Sequence, residues 1–397
     1  MSGAREIFSG SFTQQEPIPE EAIEAAVAVM RSGRLHRYNT EDGEVAALER
    51  EFAAYTGAKY ALAVASGGYA MGAALRAVGI GPGDRVLTNA FTLAPVPGAI
   101  AGVGAVPIFV GVTEALTIDL DDLEAKAGEA RVLMLSHMRG HLADMDRLME
   151  ICEAAGITVI EDCAHTMGAA WRGRMSGRDG LIGCYSVQTY KHMNAGEGGL
   201  LITDDDDVAA RAILLSGSYM LYARHGTRPP ETAFARAKYL TPNVSGRMDN
   251  LRAAILRPQL RRLDAQCAAW TARYRVVEKG LRGTPGLAVI KRPEEETFVG
   301  SSIQFLLKDW SEAAVIEVLR RCAARGVMLK WFGGAEPEGF TSRYDSWHYA
   351  PSTPMPASDR ILRAIVDMRL PLTFSLDDCA LIARIIRAEV GAVWQAA

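Results

Sequence analysis

A chain of 397 residues, 49% hydrophobic and 23% charged, is too long for one small core and suits one large domain with a smaller one. Its formal charge of -4 gives no electrostatic basis for a nucleic-acid or anionic-membrane partner. The six cysteines (152, 163, 184, 267, 322 and 379) form no CxxC pair and read as reduced core residues of a cytoplasmic protein, not as a disulfide framework or a metal site.

In chain order, Met1 to Glu20 is polar and lacks the apolar core of an export signal. Pro19 to Gly33 is predicted as a helix with Ile23, Val27 and Met30 on one stripe, and Glu44 to Thr56 as another with Val45, Leu48 and Phe52. The polar loop Leu35 to Thr40 between them either covers a site or simply connects. From Tyr60 the chain alternates short apolar strands with helical patterns: Ala61–Ala65, Arg85–Leu87, Val106–Val110, Arg131–Leu135, Ile157–Asp162 and the two segments around Lys191. Such alternation predicts a mostly parallel sheet wrapped by helices. Val86 to Thr113 carries no charge, but its prolines and glycines cut it into strand, helix and strand, which argues against a membrane span. Asp249 to about Lys279 reads as one long helix kinked at Pro258, of the kind that bridges two domains. After it come strands at Leu287–Ile290 and Ser302–Leu307, a helix near Ser311 to Arg325, a Gly/Pro/aromatic loop and a last helix from Leu376, a small α+β domain. The division is drawn as 1–265 and 266–397.

Two residues carry the chemistry. Ile157 to His165 reads as a buried parallel strand delivering polar groups at its carboxyl end, where open α/β sheets bind ligands. Asp162 there suits the task of keeping a pyridine nitrogen protonated, and also that of capping the next turn. Gly183 to Gly199 runs from an apolar segment through Ser186 and Lys191 into a glycine-rich turn. A lysine in partly apolar surroundings loses its proton readily, as a Schiff-base nucleophile must, although a lysine after a strand also reads as a solvated loop residue.

With these pieces in order, the sequence resembles the fold-type I, pyridoxal-phosphate-dependent sugar aminotransferases of the DegT/DnrJ/EryC1/StrS family. The likeness rests on Ala65-Ser66-Gly67-Gly68, Gly81-Pro82-Gly83-Asp84, Ala90-Phe91-Thr92, His137 with Ala143-Asp144-Met145-Asp146, Glu161-Asp162-Cys163-Ala164-His165, Ser186 through Lys191, Gly196-Glu197-Gly198-Gly199, Asn243 through Met248 and Arg369-Leu370-Pro371-Leu372. The resemblance implies an α/β fold whose large domain holds a seven-stranded, mostly parallel sheet. It implies Lys191 as the Schiff-base lysine, Asp162 on the pyridinium nitrogen, His165 near the phenolic oxygen and Phe91 stacked on the ring. Ser66, Gly67, Gly68 and Ser186 would hold the phosphate, with Asn243 reaching it from the neighbouring subunit of a homodimer. The amino donor would be glutamate or glutamine, the intermediate form pyridoxamine phosphate, and the acceptor a keto sugar, often nucleotide-linked, or a cyclitol ketone.

Departures bear on the substrate. Ser-Gly-Gly replaces the usual Ser-Gly-Thr, and His137-Met138-Arg139-Gly140 followed by His141 replaces His-Leu-Tyr-Gly. His192 follows the lysine, and Trp331 to Tyr349 matches no nucleotide-sugar pattern. His36, Arg139, His141 and Arg247 are the candidate substrate contacts. An atypical ketone acceptor, a dehydratase or decarboxylating reaction, and a non-catalytic regulatory protein on the same scaffold remain as alternatives. Lys191 argues against the dehydratase branch, which has His in its place.

Overall fold

A computed structural model describes residues 6–339 and 341–396. Met1–Arg5, the start of the segment assessed for export, lie outside the described residues. Seven strands form the main sheet: β1 (Tyr60–Val64), β2 (Arg85–Asn89), β3 (Val106–Val110), β4 (Val132–Ser136), β5 (Thr158–Asp162), β6 (Ile182–Ser186) and β7 (Gly199–Thr203). Their spatial order is β1-β7-β6-β5-β4-β2-β3, parallel except that β7 runs antiparallel to both neighbours. All residues of β1, β4, β6 and β7 are buried, as expected where helices cover both faces. The two-residue period sends Val132, Met134, Ile160, Ile182 and Cys184 into one core, and Leu133, Leu135, Val159 and Tyr185 into the other.

A second, antiparallel sheet follows, with β8 (Ala288–Val289), β9 (Ser302–Leu306), β10 (Lys330–Trp331) and β11 (Ile365–Arg369) in the order β8-β9-β11-β10. Ile303, Phe305, Val366 and Met368 pack under the helices Glu312–Ala323 and Leu376–Trp394. The helix Leu263–Leu281 stitches the two halves together: Leu263, Cys267 and Trp270 lie in the large core, Tyr274, Val277 and Leu281 in the small one. Phe8 and Phe12 also join the small core. Among the described residues no helix is long and apolar enough to cross a membrane, and all six cysteines are buried free thiols.

Two sequence expectations need correction. The first helix, Glu20–Ser32, buries Ala22, Ala26 and Val29, while Ile23 and Met30 are 43% and 54% exposed. Its small face lies against the helix Asn250–Leu260, and small side chains permit that close approach. The long helix beyond Asp249 is two helices, Asn250–Leu260 and Leu263–Leu281, separated at Arg261–Arg262; Pro258 sits within the first.

The loop Leu35–Thr40 is clamped shut rather than free. Arg37 donates two hydrogen bonds of 3.0 Å to the wholly buried Glu49 carboxylate, which also accepts from the amides of Ala63 and Gly226, 3.0 Å each. Arg37 donates to Nδ1 of His225 at 3.0 Å, so the ring proton sits on Nε2 and faces the Tyr38 hydroxyl at 2.8 Å. Burial pushes Glu49 up, but Arg37 and His225 outweigh it and bring the carboxyl to about 2 from 4.5. Burial, then Arg37, brings His225 down to about 4 from 6.5. Both groups bind fewer protons folded than unfolded, so their stabilisation is complete above about 6.5 and is lost as pH falls, first through the histidine and then through the carboxylate. The urea midpoint should therefore fall on going from neutral pH to about 4, and His225→Gln should flatten that fall. Glu49→Gln, which leaves Arg37 buried without its counter-charge, should lose about 3–5 kcal/mol at neutral pH by denaturant titration.

Candidate active site

β2, β4, β5 and β6 end side by side on Asn89, Ser136, Asp162 and Ser186. Asp162 is 7% exposed. Its Oδ2 accepts from the Ser136 hydroxyl and its Oδ1 from the Ala164 amide, both at 3.1 Å. Ser136 is fixed in turn by Asn89, which bonds its amide and carbonyl at 2.9 and 2.8 Å, and by the Thr92 hydroxyl at 2.8 Å. Burial pushes the Asp162 carboxyl up, against the pull of Lys191 and these donors. Its neighbour Glu161 points to the opposite face and is fully engaged: His137 Nε2 donates at 2.9 Å, and the amides of Gly177, Asp179 and Gly180 at 2.8, 3.0 and 2.7 Å. His137, Glu161 and Cys163 bring possible ligand atoms within 4.8 Å of one another, but both Glu161 oxygens are already in use.

Lys191 enters from the loop after β6, with Nζ 3.0 Å from Nε2 of His165. Desolvation of its ammonium, opposed by Asp162 and reinforced by Arg139, brings Lys191 down to about 8. Burial, then Lys191 and Arg139, holds His165 well below 6.5, so the ring is neutral. The next residue, His192, turns away: its Nδ1 donates to the Met167 carbonyl at 2.9 Å and its Nε2 faces the Ser301 hydroxyl at 3.0 Å.

Beside them the helix Gly67–Ala77 begins straight after β1. Ser66 caps it by accepting from the Tyr69 amide at 3.0 Å. A helix N-terminus with its unmatched amides attracts an anion. Ser186 closes one side so tightly that a Cβ on Gly67 would lie 2.9 Å from its own Cβ. Gly68 has no atom nearer than 3.9 Å to its virtual Cβ, so the space before the first turn is open. Phe91 is 2% exposed and packs edge-on against Phe332, ring centroids 5.1 Å apart.

The remaining candidates divide. Arg139 joins the Lys191 group, acting electrostatically on both Lys191 and His165. His141 turns into the small sheet, 4% exposed, with Nε2 donating to Gln304 at 2.8 Å. Asn243 and Arg247 share an exposed loop, where Asn243 accepts from the Ser245 amide at 3.0 Å and Arg247 donates to the Gly217 carbonyl at 2.9 Å. His36, exposed, lies within electrostatic reach of Arg247. Sequence reasoning passed over Ser136 and Asn89, and took Thr92 only as part of the Ala90-Phe91-Thr92 motif, with no role of its own. Ser136 ends β4 in register with Asp162 at the end of β5, a pairing the structure shows and the sequence does not.

Residues 16–387 match the DegT/DnrJ/EryC1/StrS aminotransferase family. The chain belongs to this family. It is 33% identical over 270 residues to a pleiotropic regulatory protein of Geobacillus stearothermophilus, covering 66% of each chain. It is 32% identical over 259 residues to L-glutamine:scyllo-inosose aminotransferase of Streptomyces griseus, covering 64% of this chain and 60% of that one. The matches thus span less than two thirds of these relatives' own length. Among solved structures, 3-amino-5-hydroxybenzoic acid synthase superposes with a TM-score of 0.83 at 26% identity, covering 98% of this chain and 100% of that one.

Aminotransferases of this family use pyridoxal phosphate, and the residues present fit it. An open helix N-terminus flanked by Ser66 and Ser186 suits a phosphate, a buried carboxylate suits a ring nitrogen, and a lysine with reduced proton affinity suits an aldehyde. The amine must be neutral to attack. Capture of pyridoxal phosphate by this protein, followed by stopped-flow absorbance, should therefore accelerate with pH through an inflection near 8. An inflection near the ordinary lysine value would contradict the desolvation read from the structure.

Proposed function

We propose that this aminotransferase binds pyridoxal phosphate through Lys191 and moves an amino group from glutamate or glutamine to a keto sugar, often nucleotide-linked, or a cyclitol-type ketone. The single observation that carries this reading is Lys191 Nζ lying 3.0 Å from a neutral His165, beside a buried Asp162 at the strand ends. The glutamine-dependent cyclitol aminotransferase among its relatives supports the donor and acceptor classes. Bound pyridoxal phosphate supplies an electron sink for a carbon that gives up its proton. Asp162 keeps the ring nitrogen positive, and Ser136 and the Ala164 amide hold Asp162 in place. Lys191 Nζ carries the proton away from the substrate carbon and returns it, as base and then acid. His165 sits against Nζ and orients it; Phe91 is the plate behind the ring. Ser66, Gly67, Gly68 and Ser186 hold the phosphate.

A second copy completes the site, with Asn243 reaching the phosphate from the partner, in a homodimer. Two features support this. Tyr219, Met220, Tyr239, Leu240 and Val244 are exposed near that loop, and a cavity of about 330 Å³ lined by Tyr69, Arg76, Ala99, Leu215 and Val244 opens beside Gly68. The sequence division into 1–265 and 266–397 is proposed as the domain boundary, and it falls within the helix Leu263–Leu281 shared by both cores. Six buried thiols support a reducing, cytoplasmic setting.

The test is the absorption spectrum of the protein with pyridoxal phosphate, before and after L-glutamate or L-glutamine, beside Lys191→Ala. The expected result is a cofactor band that requires Lys191 and is converted to the pyridoxamine form by an amino donor. A band that no donor converts would indicate dehydration or decarboxylation instead. Absence of any band would favour a regulatory protein, the name carried by one relative. Light scattering should give the mass of a dimer, and Asn243→Ala should weaken cofactor retention about 10-fold without changing that mass, the loss of one charge-assisted hydrogen bond.

A further inference from the structure

The small sheet turns a polar face toward the Lys191 group. Along β9 and β11 the apolar residues Ile303, Phe305, Val366 and Met368 enter the small core. The two-residue period therefore sends Ser302, Gln304, Asp367 and Arg369 to the opposite face. Register places Asp367 between Gln304 and Lys330, and Arg369 opposite Ser302. Asp367 is 1% exposed and accepts from Gln304 Nε2 at 2.7 Å. From the large sheet Arg139 approaches it, with Nη2 3.2 Å from Oδ2.

Arg139 is held there by its backbone. It occupies a left-handed conformation, φ 55°, in the short turn Met138–Gly140 after β4. Its side chain is 11% exposed, and its guanidinium lies over the Phe332 ring, 5.6 Å from the centroid. Neither Nε nor Nη2 makes a hydrogen bond, although both are buried; the approach to Asp367 is ionic without hydrogen-bond alignment. A planar guanidinium fork with unused N–H groups is the geometry that takes a carboxylate through paired hydrogen bonds. The other charged groups at this face are Lys330, which is exposed to solvent, and Arg369, whose carboxylate partner is Glu16 at 3.2 Å. Arg139 lowers the proton affinity of Lys191, His165 and Lys330 alike, so it lies within electrostatic reach of all three.

We propose that Arg139, positioned by Asp367, recognises a carboxylate on the molecule that reacts at Lys191. This rests on the aminotransferase reading and deepens it, since a guanidinium here gives an acidic donor or acceptor an anchor that a neutral molecule cannot use. His141 and Gln304 are positioning residues. His141 donates to Gln304, which donates to Asp367, and Asp367 holds the fork. The carboxylate belongs either to the amino donor or to an acidic ketone acceptor, and the two arms of the experiment separate them.

The holoenzyme is compared as wild type, Arg139→Gln and Arg139→Lys, the last keeping the charge but not the fork. In the first arm, L-glutamate and L-glutamine convert the cofactor band and the half-saturating concentration is read. In the second, binding of 3-oxocyclohexanecarboxylate and of its neutral hydroxymethyl analogue to the pyridoxamine form is measured by calorimetry. A donor carboxylate predicts that Arg139→Gln raises the half-saturating donor concentration about 10- to 100-fold with little change in the maximal rate. An acceptor carboxylate predicts an unchanged first arm, wild-type preference for the acid over its neutral analogue, and loss of that preference in Arg139→Gln. Arg139→Lys should fall between the two in whichever arm responds. A wild type that binds none of these acids, or an Arg139→Gln variant equal to wild type in both arms, overturns the proposal. The cofactor band before any substrate is added reports separately on the aminotransferase reading, and a lowered melting temperature with unchanged binding would reduce Arg139 to an ion pair with Asp367.

Discussion

Desolvation at the carboxyl ends of β4, β5 and β6 is the constraint on which the rest depends. A charged group placed there forgoes water and must be compensated by protein donors or by an opposite charge. The two adjacent acids solve this differently. Glu161 receives four hydrogen bonds, is pulled down despite total burial, and thereby fixes the loop through Gly180. Asp162 receives two and is pushed up, which leaves it with unused acceptor capacity in a buried place. Saturation, more than proximity, separates the structural carboxylate from the one available for chemistry. The strand period makes the separation possible, because neighbours in β5 must face opposite sides of the sheet.

Much of the scaffold was legible because strands buried on both faces read as near-continuous apolar runs, as β1, β4 and β7 do. The expected seven-stranded, mostly parallel sheet, the small α+β half and the helix from Leu376 are present. The first helix shows where such reading fails. Hydrophobic periodicity weights Ile23, Val27 and Met30, whereas close helix packing prefers Ala22 and Ala26, whose small size no hydrophobic stripe reveals. Pro258 marks the neighbourhood of the division but not its place, since the first helix runs through it to Leu260.

The site was legible where it is local and obscure where it is not. Asp162 and His165 lie in one turn of chain, and Lys191 follows in the loop after the next strand of the main sheet; their order suffices to suggest a group. By contrast, Arg139 and His141 look like a matched basic pair, yet the left-handed backbone at Arg139 sends them to different neighbours. The partners that decide their roles, Gln304 and Asp367, lie more than a hundred and fifty residues away and carry no local signature. Ser136 is a milder case. Its role follows only from strand register, which a single sequence does not print.

Two halves with separate cores must still present one chemical surface, and the charges show how. Asp162 raises the proton affinity of Lys191 while Arg139 lowers it, so the amine is balanced between an acid of the large sheet and a base whose own partner, Asp367, belongs to the small one. An anion arriving at Arg139 would offset part of that guanidinium's field, and Lys191 would then hold its proton more firmly. Binding of an anionic substrate there, as proposed, would thus be linked to the proton state of Lys191 through a single residue, and the linkage would require the small sheet to sit where it does. The helix Leu263–Leu281 contributes side chains to both cores, and Glu16 is paired with Arg369 of the small sheet. The geometry of the second sheet is therefore part of the electrostatics of the first.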